Sequence, residues 1–198
     1  MLWRLREGLS LDEKSRSWLR QFLEDARKLG RYDVGETIEG LARKLNKKPS
    51  EILKLNSNEN FFVPKLFLKR ALDEVMEEVD PRIYPRDERA ELEEALGRYV
   101  NVSSRQIIIG EGSDQLIDLI SRAFLKHGDV ALSITPTFSM YERCVKIKGA
   151  KFVTIPLRRD FSLDIDGILE SAKSGARLFF LCSPNNPTAN KFEVEEVS

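Results

Sequence analysis

From residue 106 onward the chain alternates short apolar runs with helix-length segments, and that rhythm limits its fold more than any other feature. Gln106 to Ile109, Val130 to Ile134, Lys151 to Ile155 and Arg177 to Cys182 read as strands. Between them, Ser113 to Lys126 (closed by Gly128), Thr137 to Lys148 and Ile165 to Ala172 read as helices. Parallel strands need a crossover between them, and strands covered on both faces are apolar throughout. The expected fold class is therefore α/β, with a mainly parallel sheet between two helical layers.

Ahead of this region the periodicity is helical. Ser10-Leu11-Asp12-Glu13 has capping-box spacing, and Trp18, Leu19, Phe22, Leu23 and Ala26 follow on one face until Gly30. A second helix is expected from Glu36 to Leu45, broken by Asn46, Pro49 and Ser50. The polar run Asn56-Ser57-Asn58-Glu59-Asn60 sits between Ile52-Leu53-Lys54-Leu55 and Phe61-Phe62. Helices from about Lys65 to Val79 and Asp87 to Tyr99 flank Asp80-Pro81-Arg82-Ile83-Tyr84-Pro85, whose two prolines predict an extended connection.

Composition removes several function classes. Thirty-two basic and 32 acidic residues balance, so no global field attracts nucleic acid. His127, Cys144 and Cys182 are too few for a closed Cys/His zinc cage or a disulfide framework. Charges interrupt the first residues, Met1 to Glu7, where a signal peptide would be apolar, and no run approaches the roughly 18 apolar residues of a membrane span. A cytoplasmic location without membrane partners is expected.

In a parallel sheet, ligands collect at the carboxyl ends of strands. Gly110-Glu111-Gly112-Ser113-Asp114-Gln115 leads straight into a helix, where free N–H groups and the helix dipole favour a phosphate. A plain glycine turn capped by Ser113 or Asp114 accounts for the same residues. Gln115 stands where a dinucleotide fingerprint needs its third glycine, and no acid follows the second strand at Ile134-Thr135-Pro136. No triphosphate-binding G-x-x-x-x-G-K-[ST] loop occurs. Phe138 and Tyr141 share a helical face, suited either to stacking on a flat ligand or to the core. Ser183-Pro184-Asn185-Asn186-Pro187-Thr188 offers amides on a proline-fixed path. Lesser candidates read as structural: His127 at a helix end, Asp164 and Asp166 opening a helix, Cys182 as a small buried hydrophobe, and Glu193, Glu195 and Glu196 as a solvated first turn.

In order and spacing, the Asn56–Asn60 string, Tyr84-Pro85, Gly112-Ser113-Asp114, Pro136-Thr137-Phe138 and Ser183–Thr188 resemble pyridoxal-phosphate aminotransferases of fold type I, closest to the histidinol-phosphate aminotransferases. The resemblance runs from about Gly35 to the last residue. It implies a partial three-layer sandwich of the large domain (residues 56–198) behind an N-terminal helical arm (residues 1–55). It implies pyridoxal 5′-phosphate as cofactor, an amino donor and a 2-oxo acid as substrates, and a homodimer.

By the same resemblance, backbone N–H groups of Gly112, Ser113 and Asp114 hold the cofactor phosphate, Phe138 stacks on the ring, and Asn186 bonds its phenolic oxygen. Tyr84 reaches the partner subunit's cofactor phosphate; Asn58, Glu59 and, less directly, Tyr141 face substrate. The family's Schiff-base lysine and substrate-binding arginines have no counterpart here, and Lys191 reads as leading away from the pocket. The alternative to a catalytic chain is thus a non-catalytic fragment or one half of a split enzyme. Within the family, threonine-phosphate decarboxylation and aromatic amino-acid transamination stay open. The resemblance further implies a sheet with gaps, the first strand lacking its neighbour and the fourth separated from the second, and hence an aggregation-prone chain. Phe61 replaces the usual proline of N-E-N-P, and Ala189 replaces a glycine after Thr188.

Overall fold

The computed structural model describes residues 12–29, 35–84, 88–193 and 195. Ser10, Gly30, Pro85, Asp87 and Glu196, all used above, lie outside them. The chain divides into two compact units, one of Met1–Gly30 with Ile109–Ser198, the other of Arg31–Ile108.

The first unit is built around three parallel strands, β1 (Val130–Thr135), β2 (Lys151–Pro156) and β3 (Leu178–Phe180), in the order β2-β1-β3. Helix α6 (Met140–Ile147) supplies the crossover from β1 to β2 and α7 (Ile165–Ala172) that from β2 to β3, while α5 (Gly112–Phe124) leads into β1. Side chains alternate across the central strand. Ala131 packs with Ile117 of α5 and Tyr141, Cys144 and Val145 of α6, while Ile134 packs with Leu163, Phe192, Ile165 and Ile168 on the α7 side. Three layers result, as the apolar runs predict. Helix α1 (Glu13–Lys28) also belongs to this unit; Asp12 caps it by accepting from Ser15 N–H at 2.7 Å. An Arg143 Nη1 donates to the Leu29 carbonyl at 3.3 Å, tying the end of α1 to α6.

Two sheet expectations are corrected. Residues 106–109 form no strand: Ser104–Gln106 is a single 3-10 turn capped by Ser103, and Ile107 is extended (φ −102°, ψ 133°) without a ladder. Strand identity requires a paired neighbour, and among the described residues this segment has none. Nor does a gap separate the second and fourth predicted strands. β1 bonds β3 directly, with Ala131 opposite Leu178 and Ser133 opposite Phe180, and the buried Ser133 hydroxyl donates to the Phe180 carbonyl at 2.8 Å.

The second unit is helical. Thr37 caps α2 (Ile38–Leu45) by accepting from Gly40 N–H at 3.0 Å, and Asn46 ends it in the left-handed region at φ 52°. Helix α3 (Lys65–Glu78) buries none of its residues. The linker expected to be extended instead turns: Ile83 N–H reaches the Asp80 carbonyl at 3.0 Å, and the Arg82 guanidinium grips the Asp80 carboxylate, holding its pKa below the usual range.

Helix α4 (Glu88–Val100) doubles back at its end, where Asn101 adopts φ 57° and Val102 N–H bonds the Gly97 carbonyl at 2.9 Å. A Cβ on Gly97 would lie 2.8 Å from the Val102 carbonyl oxygen and 3.2 Å from Ser104 N, both backbone atoms. Gly97→Ala should therefore destabilise this unit by about 1 kcal/mol, against the helix propensity that favours alanine. Hydrogen exchange of the α4 amides checks the sign; slower exchange in the variant would contradict it.

Candidate functional site

Helix α5 opens at Gly112, which adopts φ 78° with nothing within 4 Å of where a Cβ would stand. No side chain caps this helix; the Gly112 N–H turns back to the Gly110 carbonyl at 2.9 Å and the Glu111 N–H to Gln115 Oε1 at 2.6 Å. In the first turn, the N–H groups of Ser113 and Asp114 have no intrahelical acceptor. The geometry thus leaves the N–H groups of Ser113 and Asp114 as an open cradle with the positive end of the helix dipole behind it, whereas the Gly112 N–H expected to join them is already taken by the Gly110 carbonyl. Of the two readings of this segment, neither Ser113 nor Asp114 acts as a cap.

α5 packs along α6, close enough that Asp118 and Asp114 help to raise the Cys144 thiol pKa, after the larger effect of its burial. Just before α6, the Phe138 ring is half-buried and meets Tyr141 edge-on, centroids 5.8 Å apart at 88°. Tyr141 itself is 9% exposed and stacks on Phe180 of β3 at 4.7 Å and 10°. Burial, and then the hydrogen bond to Cys182, push its phenol pKa up to about 12. Tyr141 is thus a core residue along its ring and lies at the loop edge through its hydroxyl.

The loop after β3 is fixed by Asn185, a residue that sequence reasoning passed over in favour of its neighbour. Asn185 is 3% exposed. Its Oδ1 accepts from the Thr137 hydroxyl at 3.0 Å, and its Nδ2 donates to the Pro136 carbonyl at 3.0 Å and the Thr188 hydroxyl at 2.7 Å. Thr188 donates in turn to Asn190 Oδ1, and Asn190 Nδ2 to the Phe161 carbonyl at 3.1 Å. The Thr135–Pro136, Ser183–Pro184 and Asn186–Pro187 peptides are cis. Asn186 is half-buried, and its carboxamide makes no hydrogen bond among the described residues. Two adjacent carboxamides between prolines were the available signal that one faces inward and one outward.

Ala189 keeps the turn that a glycine would favour, at φ 62°, with its N–H on the Asn185 carbonyl at 2.8 Å. A Cβ is costly there. Ala189→Gly should raise stability by about 0.5–1 kcal/mol, readable as a higher thermal midpoint; an unchanged or lower midpoint would refute the strain.

Asn58, Glu59 and Tyr84 lie in the other compact unit. Asn58 is exposed at φ 52°, Glu59 pairs with Lys54, whose Nζ also donates to Ser57 Oγ at 2.7 Å, and Tyr84 is exposed. His127 caps no helix: α5 ends at Phe124 with Leu125 as C-cap, and the His127 ring lies against Gly149. The Asp164 carboxylate faces Arg158 at 3.4 Å and caps no N–H of α7. Lys191 pairs with Glu193. Among the described residues no His, Cys, Asp and Glu cluster could hold a metal, and no helix is long and apolar enough to cross a membrane.

A parallel sheet held between helical layers, in the strand order β2-β1-β3, has the architecture of the fold type I transferases. A histidinol-phosphate aminotransferase from Sinorhizobium meliloti, solved with pyridoxal 5′-phosphate, superposes with a TM-score of 0.68 at 26% identity, covering 85% of this chain and 44% of that one. A family model described as "Aminotransferase class I and II" matches residues 50–198, and the chain belongs to that family. It is 42% identical over 154 residues to the histidinol-phosphate aminotransferase of Roseiflexus castenholzii, covering 76% of this chain and 42% of the relative. With that of Methanococcoides burtonii it shares 34% over 170 residues, covering 85% and 47% respectively. The chain thus spans less than half the length of these relatives.

Proposed function

We propose that this chain holds pyridoxal 5′-phosphate at the carboxyl edge of its sheet, within an aminotransferase that exchanges an amino group between histidinol phosphate and 2-oxoglutarate. The substrate assignment draws on the names of the relatives above. The cofactor assignment draws on one observation: amides left free at the start of α5, the half-buried Phe138 ring and the unengaged Asn186 carboxamide suit the phosphate, ring and phenolic oxygen of one flat anion.

When bound, the group supplies a conjugated electron sink for the substrate amine. The chain's residues orient it. Ser113 and Asp114 N–H groups, with Gly112 allowing close approach, bind the phosphate; Phe138 fixes the plane of the ring; Asn186 Nδ2 donates to the phenolic oxygen. Tyr141, itself stacked on Phe180, covers one side of Phe138 and shields it from water there. In the same reading residues 56–198 form the cofactor-domain portion and 1–55 the arm, the assembled enzyme is a cytoplasmic homodimer, Tyr84 serves the partner subunit's phosphate site, and Asn58 and Glu59 face substrate. The lysine that links covalently to the cofactor is assigned to no residue of this chain.

Titration of the purified chain with pyridoxal 5′-phosphate, followed by absorbance, tests this. Saturable binding is expected, weakened roughly tenfold in both Phe138→Ala and Asn186→Ala. Unsaturable uptake, or variants equal to the wild type, would overturn it.

A further inference from the structure

We infer that Asn185 is a positioning residue that locks the loop carrying Phe138 and the loop carrying Asn186 into one rigid unit. The inference rests on the cofactor reading above, because it concerns how that ring would be held. Asn185 is buried, and its partners Pro136 and Thr137 lie 49 and 48 residues away in sequence. Both of its N–H donors and its carbonyl are engaged within the protein, so it has no donor left for a ligand. The amide cannot be reversed, since its oxygen would then oppose the Pro136 carbonyl. Asn186, next in sequence, makes no such bonds and is the group turned outward.

Stacking and a directional hydrogen bond act on one ring only if their donors keep mutual register to within about half an ångström. Loops held only at their ends open independently of each other. Asn185 removes that independence: Phe138 follows Thr137, and Asn186 follows Asn185, so each functional group is one residue from the clamp. The phosphate cradle at α5 has no bond to the clamp, which separates the two effects experimentally.

The probes are 4′-deoxypyridoxine 5′-phosphate, which has the ring and its oxygen but no aldehyde to react with lysines, and inorganic phosphate. Binding to the 198-residue chain is followed by amide chemical shifts, alongside hydrogen exchange of the free protein. For Asn185→Ala, affinity for the ring compound should fall roughly tenfold and that for inorganic phosphate by less than about twofold. Exchange should accelerate in both residues 137–139 and residues 185–190, while the start of α5 stays unchanged. Thr137→Val removes one clamp bond without emptying the site and should give a smaller loss of the same kind, not additive with Asn185→Ala; Thr137→Ser should match the wild type. Equal loss for both probes together with a lower thermal midpoint, or faster exchange confined to residues 185–190, would overturn the positioning role. A wild-type chain that takes up neither probe would overturn the cofactor reading, and a coupled exchange response in that case would reduce Asn185 to a purely structural tie.

Discussion

Replacing Ile134 by alanine should lower the unfolding free energy of the sheet unit by about 3 kcal/mol, because the cavity opens beneath the α7 layer on the central strand of the sheet. Ile134 is 1% exposed, and Leu163, Phe192, Ile165 and Ile168 close over it from the α7 side. None of these can collapse inward without leaving its own contacts. Val153→Ala on the flanking strand β2, where the side chain is 41% exposed, is the control and should cost under about 1 kcal/mol. Urea titrations followed by near-ultraviolet circular dichroism distinguish the two, and equal losses would show that the α7 layer is not packed.

Raising the pH through the alkaline range should weaken the same unit through Tyr141. Its phenol pKa is pushed up to about 12 by burial and by Cys182, against 10.0 for the free side chain. The folded state therefore holds this proton more tightly than the unfolded chain. The resulting contribution is fully present below pH 10 and declines as pH rises toward about 12, by roughly 2 kcal/mol in all. Tyr141→Phe removes that titration, while the remaining tyrosines and lysines titrate alike in both proteins. The stability difference between wild type and variant should therefore shift in favour of the variant between pH 9 and pH 11.5. Parallel pH profiles would mean that the phenol ionises as freely as it does in water.

Much of the sheet unit was legible because its signals are local. α7 occupies Ile165–Ala172 as read, and β1 and β2 each run one residue beyond the predicted Ile134 and Ile155. Gln106 to Ile109 failed for the opposite reason: its apolar pattern is that of a strand, but a strand exists only in a pair. The adjacency of β1 and β3 is likewise a property of two segments 47 residues apart, as the Ser133 to Phe180 bond shows. α6 begins at Met140, three residues later than Thr137, because Asn185 takes the Pro136 carbonyl and the Thr137 hydroxyl into the loop.

At the site, residue types were more legible than their orientations. Gly112, Ser113, Phe138 and Asn186 could be picked out because each stands at the end of an apolar run or in a glycine or proline frame. Which of Asn185 and Asn186 faces inward depends on the path of the loop, and no periodicity encodes it. Ala189 shows the same limit: its side chain disfavours positive φ, yet the Asn185 carbonyl and the closed turn hold it there.

The chain of bonds from Thr137 through Asn185, Thr188 and Asn190 to Phe161 has a polarity, since every hydrogen in it points toward Phe161. Aligned donors reinforce one another, so partial negative charge accumulates at the opposite end, on Thr137 Oγ1. That oxygen has already committed its only hydrogen. A polar group that hydrogen-bonds to it must therefore act as the donor.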